Sequence, residues 1–247
     1  MPGGLPKAIF FDLDDTILAL SDSAEPCWRI VIQRFVAHLA GISMDGVLEA
    51  INRERRWYWS DPERHQWGRL HLDAARTAIV QRALLALGIE APALAREIAA
   101  AFASEREQRL GPIPGAPETL QRLRDLGVRL ALLTNGASAD QRRKIEQQGL
   151  APFFELILIE GELGYGKPDE RVYRQALNRM GLAPEDVWMV GDNLLWDVGA
   201  PQALGITAIW IDRAGQGPPA GSSVRPDKVI ASISELIPGL DRAAGRR

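Results

Sequence analysis

Short apolar runs, nearly continuous rather than alternating with polar residues, recur along this chain at Ala8 to Phe11, Val128 to Leu133, Leu156 to Ile159, Val187 to Val190 and Thr207 to Ile211, with a weaker one at Lys228 to Ile230. A strand covered on both faces has no polar side to show, so the pattern predicts a parallel sheet packed between helices. Between the runs, apolar residues return at helical spacing. Pro117 to Leu126, Ala139 to Gln148 and Glu170 to Met180 each stop just before a glycine, Gly127, Gly149 and Gly181. Glycine takes the left-handed conformation that commonly ends a helix. Strand and helix in alternation predict an α/β fold with a doubly wound parallel sheet and right-handed crossovers, a Rossmann-like core.

One stretch breaks this rhythm. From about Ser21 to Leu110 there is no convincing strand, and Pro26 to Leu39, Met44 to Trp57, Leu70 to Leu87 and Pro92 to Arg109 read as amphipathic helices. This predicts two domains: a core made of residues 1–20 and 111–247, and an inserted α-helical domain of residues 21–110. The return boundary falls at Gly111-Pro112-Ile113-Pro114-Gly115, where prolines and glycines oppose helix continuation. The segment Trp57 to Arg69, rich in tryptophan and arginine, is expected to join two helices of the insertion. Gly215 to Ser223 reads as a loop and Asp241 to Arg247 as a frayed tail.

Composition narrows the class. At 247 residues the chain can bury a proper core without covalent staples, and its single cysteine, Cys27, excludes an intrachain disulfide. The N-terminus lacks the basic and apolar regions of a signal peptide, and no apolar run reaches the ~20 residues of a membrane span. A cytoplasmic protein is expected, with no membrane partner. A formal charge of −3 with both signs interspersed argues against a nucleic-acid partner. Any anionic ligand must then be held by a local site.

In a parallel α/β sheet, ligands bind outside the carboxyl ends of the strands. Asp12 and Asp14 follow the first run, two carboxylates that can project from the same side of an extended chain. Such a pair is tolerable when a cation or a shared proton relieves the repulsion. Thr134-Asn135-Gly136 follows the second run and offers a hydroxyl and backbone amides, Gly166-Lys167-Pro168 follows the third and offers an ammonium, and Gly191-Asp192, with Asp197 five residues beyond Asp192, follows the fourth. Together they suit a phosphate and a hard metal ion. Each piece has a plainer reading: Thr134 and Asn135 as helix caps, Lys167 as a solvated loop residue, Asp192 and Asp197 as turn and helix-start residues. Asp15 reads as a turn residue. Gly161, Gly164 and Gly166 make no dinucleotide fingerprint, and His38, His65 and His71 show no zinc spacing.

The ordered set resembles the haloacid dehalogenase-like hydrolase superfamily. Asp12-Leu13-Asp14-Asp15-Thr16 matches its first motif, D-x-D-x-T; Thr134-Asn135 resembles the second, Lys167 the third, and Gly191-Asp192 with Asp197 the fourth. The helical insertion sits where that family carries a cap. The resemblance implies that Asp12 is a nucleophile accepting a phosphoryl group as an aspartyl-phosphate, and that Asp14 is the general acid and base. It implies a Mg²⁺ site from Asp12, Asp192 and the Asp14 backbone carbonyl. Thr134 and the Asn135 and Gly136 amides would hold phosphate oxygens, Lys167 would offset charge, and Asp197 would orient Lys167 or a metal-bound water.

The expected activity is a Mg²⁺-dependent phosphomonoester hydrolase acting on a small phosphorylated metabolite, as a monomer or homodimer. A haloacid dehalogenase, a sugar phosphomutase and a catalytically inert binding protein are the alternatives on the same scaffold; Asp14 counts against the first, because dehalogenation needs no second acid. Within the insertion, Arg64, His65 or Arg69 is expected to meet a polar or anionic leaving group, with Trp59 or Trp67 as a wall. The competing reading packs these aromatics in the insertion's own core.

Overall fold

A computed structural model describes residues 4–39 and 41–237. The expected frayed tail, Asp241 to Arg247, lies outside the described residues. The chain divides into two compact units, one of Met1–Ala19 with Gly111–Arg247 and the other of Leu20–Leu110.

Six strands form the sheet of the first unit: β1 (Ala8–Phe11), β2 (Arg129–Thr134), β3 (Leu156–Ile159), β4 (Val187–Gly191), β5 (Thr207–Ile211) and β6 (Lys228–Ile230). Every pairing is parallel, in the order β3-β2-β1-β4-β5-β6. The chain runs outward from β1 through β2 to β3, then returns to lay β4 against the other side of β1. That reversal opens a crevice at the carboxyl ends of β1 and β4, where α/β sheets bind ligands. Register brings these ends level, since Phe11 lies opposite both Leu132 and Val190.

Both faces of the central strands are buried, which accounts for their continuous apolar sequence. Phe10, Ala131, Leu133 and Leu158 pack on one side with Val172, Tyr173, Ala176 and Leu177 of a helix over Glu170–Met180, while Ile9, Phe11, Leu130 and Leu132 are buried as well. β2 and β4 each extend one residue past their apolar runs, because Thr134 pairs with Ile159 and Gly191 with Trp210. Thr134 is therefore a strand residue, and the next long helix, Ser138–Gln147, has Ala137 at its N-cap with no side-chain bond. The plainer reading of Thr134 and Asn135 as caps does not hold. Where the chain leaves this unit and where it re-enters, the two segments pair: Ala19 N–H donates to Gly111 O at 3.0 Å and Ile113 N–H to Ile17 O at 2.8 Å.

The second unit is helical: α1 (Ala24–Phe35), α2 (Met44–Ser60), α3 (Pro62–Leu70), α4 (Leu72–Ala86) and α5 (Pro92–Arg109). The helices of the first unit continue the numbering as α6 (Ala116–Asp125), α7 (Ser138–Gln147), α8 (Glu160–Leu163) and α9 (Glu170–Met180). The segment Trp57 to Arg69 is not a connection. It is the end of α2 and nearly all of α3, whose N-cap Asp61 accepts from Arg64 N–H at 2.8 Å ahead of Pro62 in the first turn. An aspartate before a proline is a helix-start signal that outweighs the polar composition of the α3 residues themselves. The expected helix from Leu70 is interrupted at His71, whose backbone (φ −134°, ψ 55°) is not helical.

Trp28 and Phe102 stack at 3.7 Å in the interior of this unit, among Ile32, Ile51, Ile79 and Ile98. Its buried acids are paired: Glu54 with Arg82 at 2.8 Å, and Glu105 with Arg34 at 2.6 Å and Arg109 at 2.8 Å. Among the described residues no helix is long and apolar enough to cross a membrane.

Truncation of Trp28 to alanine removes the larger half of that stack, and we expect it to lower the stability of the helical unit by about 3–5 kcal/mol. A urea titration monitored by circular dichroism reads the loss, with Trp28→Phe losing distinctly less.

Candidate functional site

Asp12 leaves β1 still in sheet register, its N–H donating to Val190 O at 3.0 Å. Beneath it lies Lys167, a lysine only 1% exposed. Its Nζ donates to Asp12 Oδ1 at 2.7 Å and to Asp197 Oδ1 at 2.6 Å. Burial alone would pull this ammonium's pKa down, but the two carboxylates outweigh it and the net shift is upward. Lys167 is charged, and it is not a solvated loop residue.

Asp197 reaches Lys167 from a π-helical segment, Leu194–Gly199, whose wider turn begins where the Asn193 side chain caps Leu195 and Trp196. Its second oxygen accepts from Asn193 N–H at 3.0 Å. Gly191 permits this approach, since a Cβ there would overlap the Asp197 carboxylate. Asp192, next to Gly191, completes a trio: Asp12, Asp192 and Asp197 each offer a carboxylate oxygen, all within 4.8 Å of one another. Loss of water raises the Asp12 carboxyl well above the ordinary value of 3.8, against the pull of Lys167. Desolvation raises Asp192 too, although it is the most exposed of the three, and the charges of Asp12 and Asp197 push it the same way.

Asn135 positions Lys167 through its backbone: Nδ2 donates to Lys167 O at 2.6 Å and Oδ1 accepts from Lys167 N–H at 2.8 Å. Lys167-Pro168 is a cis peptide. Gly166 cannot carry a side chain here, because a Cβ would stand 2.6 Å from Asn135 Oδ1 and 2.8 Å from Glu160 Cγ and Cδ. The structure corrects the expectation for Gly136, whose N–H donates to the buried Glu160 Oε2 at 2.9 Å and is not available to a phosphate. A loop amide takes the nearest acceptor, and the pairing of β2 with β3 brings Glu160, the first residue after β3, to this loop.

Thr134 remains a good donor. Its Oγ1 accepts from Gln141 Nε2 at 2.5 Å, which leaves the hydroxyl proton free to be given away. The same Nε2 reaches Asn135 O at 2.8 Å and Asp14 Oδ2 at 3.2 Å. Asp14 is not a member of the carboxylate trio; both of its oxygens accept from Lys144 Nζ, at 2.8 and 2.7 Å. Asp15 occupies the left-handed region, with φ 62°, as suits a turn.

In the helical unit, Arg64 is committed locally. It donates to Trp57 O at 2.8 Å, lies 4.0 Å over the Trp57 ring and stands 3.8 Å from Asp61. Arg69 faces His65 Nδ1 at 3.3 Å. These contacts favour the reading in which the cluster packs on itself over the one in which Arg64 and Arg69 meet substrate.

The residues fit Mg²⁺. Three carboxylates against one ammonium leave an excess of negative charge, and the donors are hard oxygens. Asp197 has both oxygens engaged, so the side-chain donors left for an ion are the Asp192 carboxylate and Asp12 Oδ1, whose bond to Lys167 occupies one of its two lone pairs. The family model for haloacid dehalogenase-like hydrolases matches residues 6–205, the span holding all of these groups. The chain belongs to the haloacid dehalogenase-like hydrolases. It is 37% identical to the phosphoserine phosphatase of Thermus thermophilus over 94% of its own length and 98% of that protein, and 29% identical to a glyceraldehyde 3-phosphate phosphatase of Methanopyrus kandleri over 84% of each. Among solved structures, YfnB of Bacillus subtilis bound to magnesium superposes with a TM-score of 0.73 at 22% identity, covering 94% of this chain and 97% of that one. The chain is a phosphatase of the haloacid dehalogenase-like type.

Lys144, Gln141 and Glu160 contact these groups and are not marked by the sequence motifs. Gln141 and Lys144 stand three apart on one face of a helix with few apolar residues, directly after Thr134-Asn135, and that spacing is the available signal.

Lys167→Met leaves Asp12 and Asp197 facing each other without a cation, and we expect a loss of about 3–5 kcal/mol in urea unfolding near neutral pH, partly recovered by adding Asp197→Asn. A carboxyl raised on folding costs stability once pH exceeds its unfolded value of 3.8, increasingly until the folded value is passed. Metal-free protein should therefore melt lower as pH rises from about 5 to about 8, and MgCl₂ should restore more at the upper end, where its ligands are ionised. Differential scanning fluorimetry reads both pH effects, and Asp192→Asn should remove most of the magnesium increment.

Proposed function

We propose that this phosphatase is Mg²⁺-dependent, hydrolyses phosphomonoesters of small metabolites and works through an aspartyl-phosphate on Asp12. The observation that carries the reading is the Lys167 clamp, which holds one oxygen of Asp12 and leaves the other, Oδ2, without a hydrogen bond among the described residues.

With Asp14 entering as the carboxylic acid and Asp12 ionised, Asp12 Oδ2 attacks phosphorus in line, the bond to the ester oxygen breaks, and that oxygen takes the proton from Asp14. Asp14 then removes a proton from water; the resulting hydroxide displaces Asp12 from phosphorus, returning the carboxylate and releasing phosphate. Thr134 donates its hydroxyl proton to a non-bridging oxygen, an orientation supported by the Gln141 bond on its lone pair. Lys167 stays charged throughout and offsets negative charge on Asp12 and the phosphoryl group, with Asp197 fixing its position. Mg²⁺, held by Asp12, Asp192 and the Asp14 carbonyl, would neutralise the phosphoryl oxygens as phosphorus is attacked. The unit of Leu20–Leu110 would serve as a cap selecting the leaving group, and O-phosphoserine heads the candidates because of the Thermus relative. A cytoplasmic monomer or homodimer fits this work.

The test is phosphate release from O-phosphoserine, glyceraldehyde 3-phosphate, nucleoside monophosphates, sugar phosphates and 4-nitrophenyl phosphate, with MgCl₂ or EDTA. We expect release that EDTA abolishes and that Asp12→Asn reduces by at least about 10³-fold while the protein stays folded. Release insensitive to EDTA, or retained by Asp12→Asn, would overturn the reading.

A further inference from the structure

The α7 helix carries two residues that the motifs do not account for, and both converge on Asp14. Lys144 reaches across 130 positions of sequence to place Nζ within 2.8 Å of both Asp14 oxygens. Other basic residues of α7 behave differently. Arg143 pairs with Asp140 one turn away and Arg142 with Glu162, with 46% and 41% of their side chains exposed, against 13% for Lys144. An ion pair withdrawn from water fixes its partner's position far better than an exposed one, because solvent screens it less and few rotamers satisfy both oxygens.

Gln141, one turn earlier on the same face and 2% exposed, adds the link to the phosphate side of the site. Its single amide nitrogen spans Thr134 Oγ1, Asn135 O and Asp14 Oδ2. Thr134 is thus tied to Asp14 through one side chain. A residue that must protonate the ester oxygen has to stand at a fixed distance from the group that holds the phosphoryl oxygens. The two come from different strands, and α7 supplies the bracket between them.

We propose that Lys144 is a positioning residue for Asp14, holding its carboxyl group in the register with Thr134 that leaving-group protonation requires, with Gln141 as the second arm. This deepens the proposed phosphatase mechanism and rests on it. Lys144 touches neither the phosphorus nor the nucleophile in that scheme, so its loss should weaken the proton transfers through Asp14 and spare nucleophilic attack, and kcat/KM isolates the first of those transfers.

Phenyl phosphate and 4-nitrophenyl phosphate separate these elements. They are nearly alike in shape, but the nitrophenolate oxygen leaves with little need for a proton and the phenolate oxygen needs one. In Lys144→Met, kcat/KM for phenyl phosphate should fall by roughly 10²-fold, the scale of general-acid assistance, and that for 4-nitrophenyl phosphate by less than about threefold. Lys144→Arg, which keeps two-point donation to the carboxylate, should recover most of the phenyl phosphate activity. Circular dichroism and the melting temperature establish that both variants are folded. Equal losses on the two esters, or no loss on either, would overturn the role of Lys144 while leaving the phosphatase standing. Wild-type protein inactive on both esters would instead overturn the proposed phosphatase mechanism, and the role of Lys144 with it.

Discussion

A buried ammonium must be surrounded by acids, and the first unit is organised around meeting that demand for Lys167. Taking such a charge out of water costs several kcal/mol unless partners with good geometry replace the lost hydration. Asp12 and Asp197 supply them. The surrounding details answer the same need. Asn135 grips the lysine's backbone on both sides, Gly166 stays without a side chain so that grip can close, and a π-helical turn with Gly191 beneath it lets Asp197 come near enough. The arrangement overshoots neutrality, because Asp192 adds a further carboxylate. That excess is what a divalent cation would neutralise in the proposed mechanism.

The sheet is legible in the sequence because both faces of its strands are buried, and short apolar runs rich in β-branched residues and separated by glycine-ended helices fit covered strands. Strand ends are legible for a related reason: Asp12, Thr134 and Asp192 interrupt apolar runs where polarity has no packing purpose. Local geometry that depends on distant register is not. Gly136 looks like a phosphate-binding amide until β2–β3 pairing brings Glu160 against it. Lys144 and Gln141 lie on a strongly polar helix, where a charge is ordinarily solvated, and only the fold reveals a partner 130 residues away. The α3 helix is hidden by its composition even though Asp61-Pro62 announces its start.

The same contrast makes a reaction easier to read from this chain than a substrate. In the proposed mechanism Asp12, Thr134, Lys167 and Asp192 all address the phosphoryl group and the ion beside it, and that group is common to every phosphomonoester. A leaving group is recognised by contacts remote from the reacting atoms, whose binding energy separates one ester from another. In the helical unit the residues best suited to such contacts are turned on each other: Arg64 and Arg82 lie over the Trp57 ring at 4.0 and 3.7 Å, and Arg82 also holds the buried Glu54. Two phosphatase relatives with different named substrates align with this chain over 94% and 84% of its length. Selectivity therefore has to be written in positions that vary without disturbing the lysine clamp. If the helical unit serves as the proposed cap, it is free to change in that way, because its stacked Trp28 and Phe102 and its paired Glu54 and Glu105 draw their partners from within the unit.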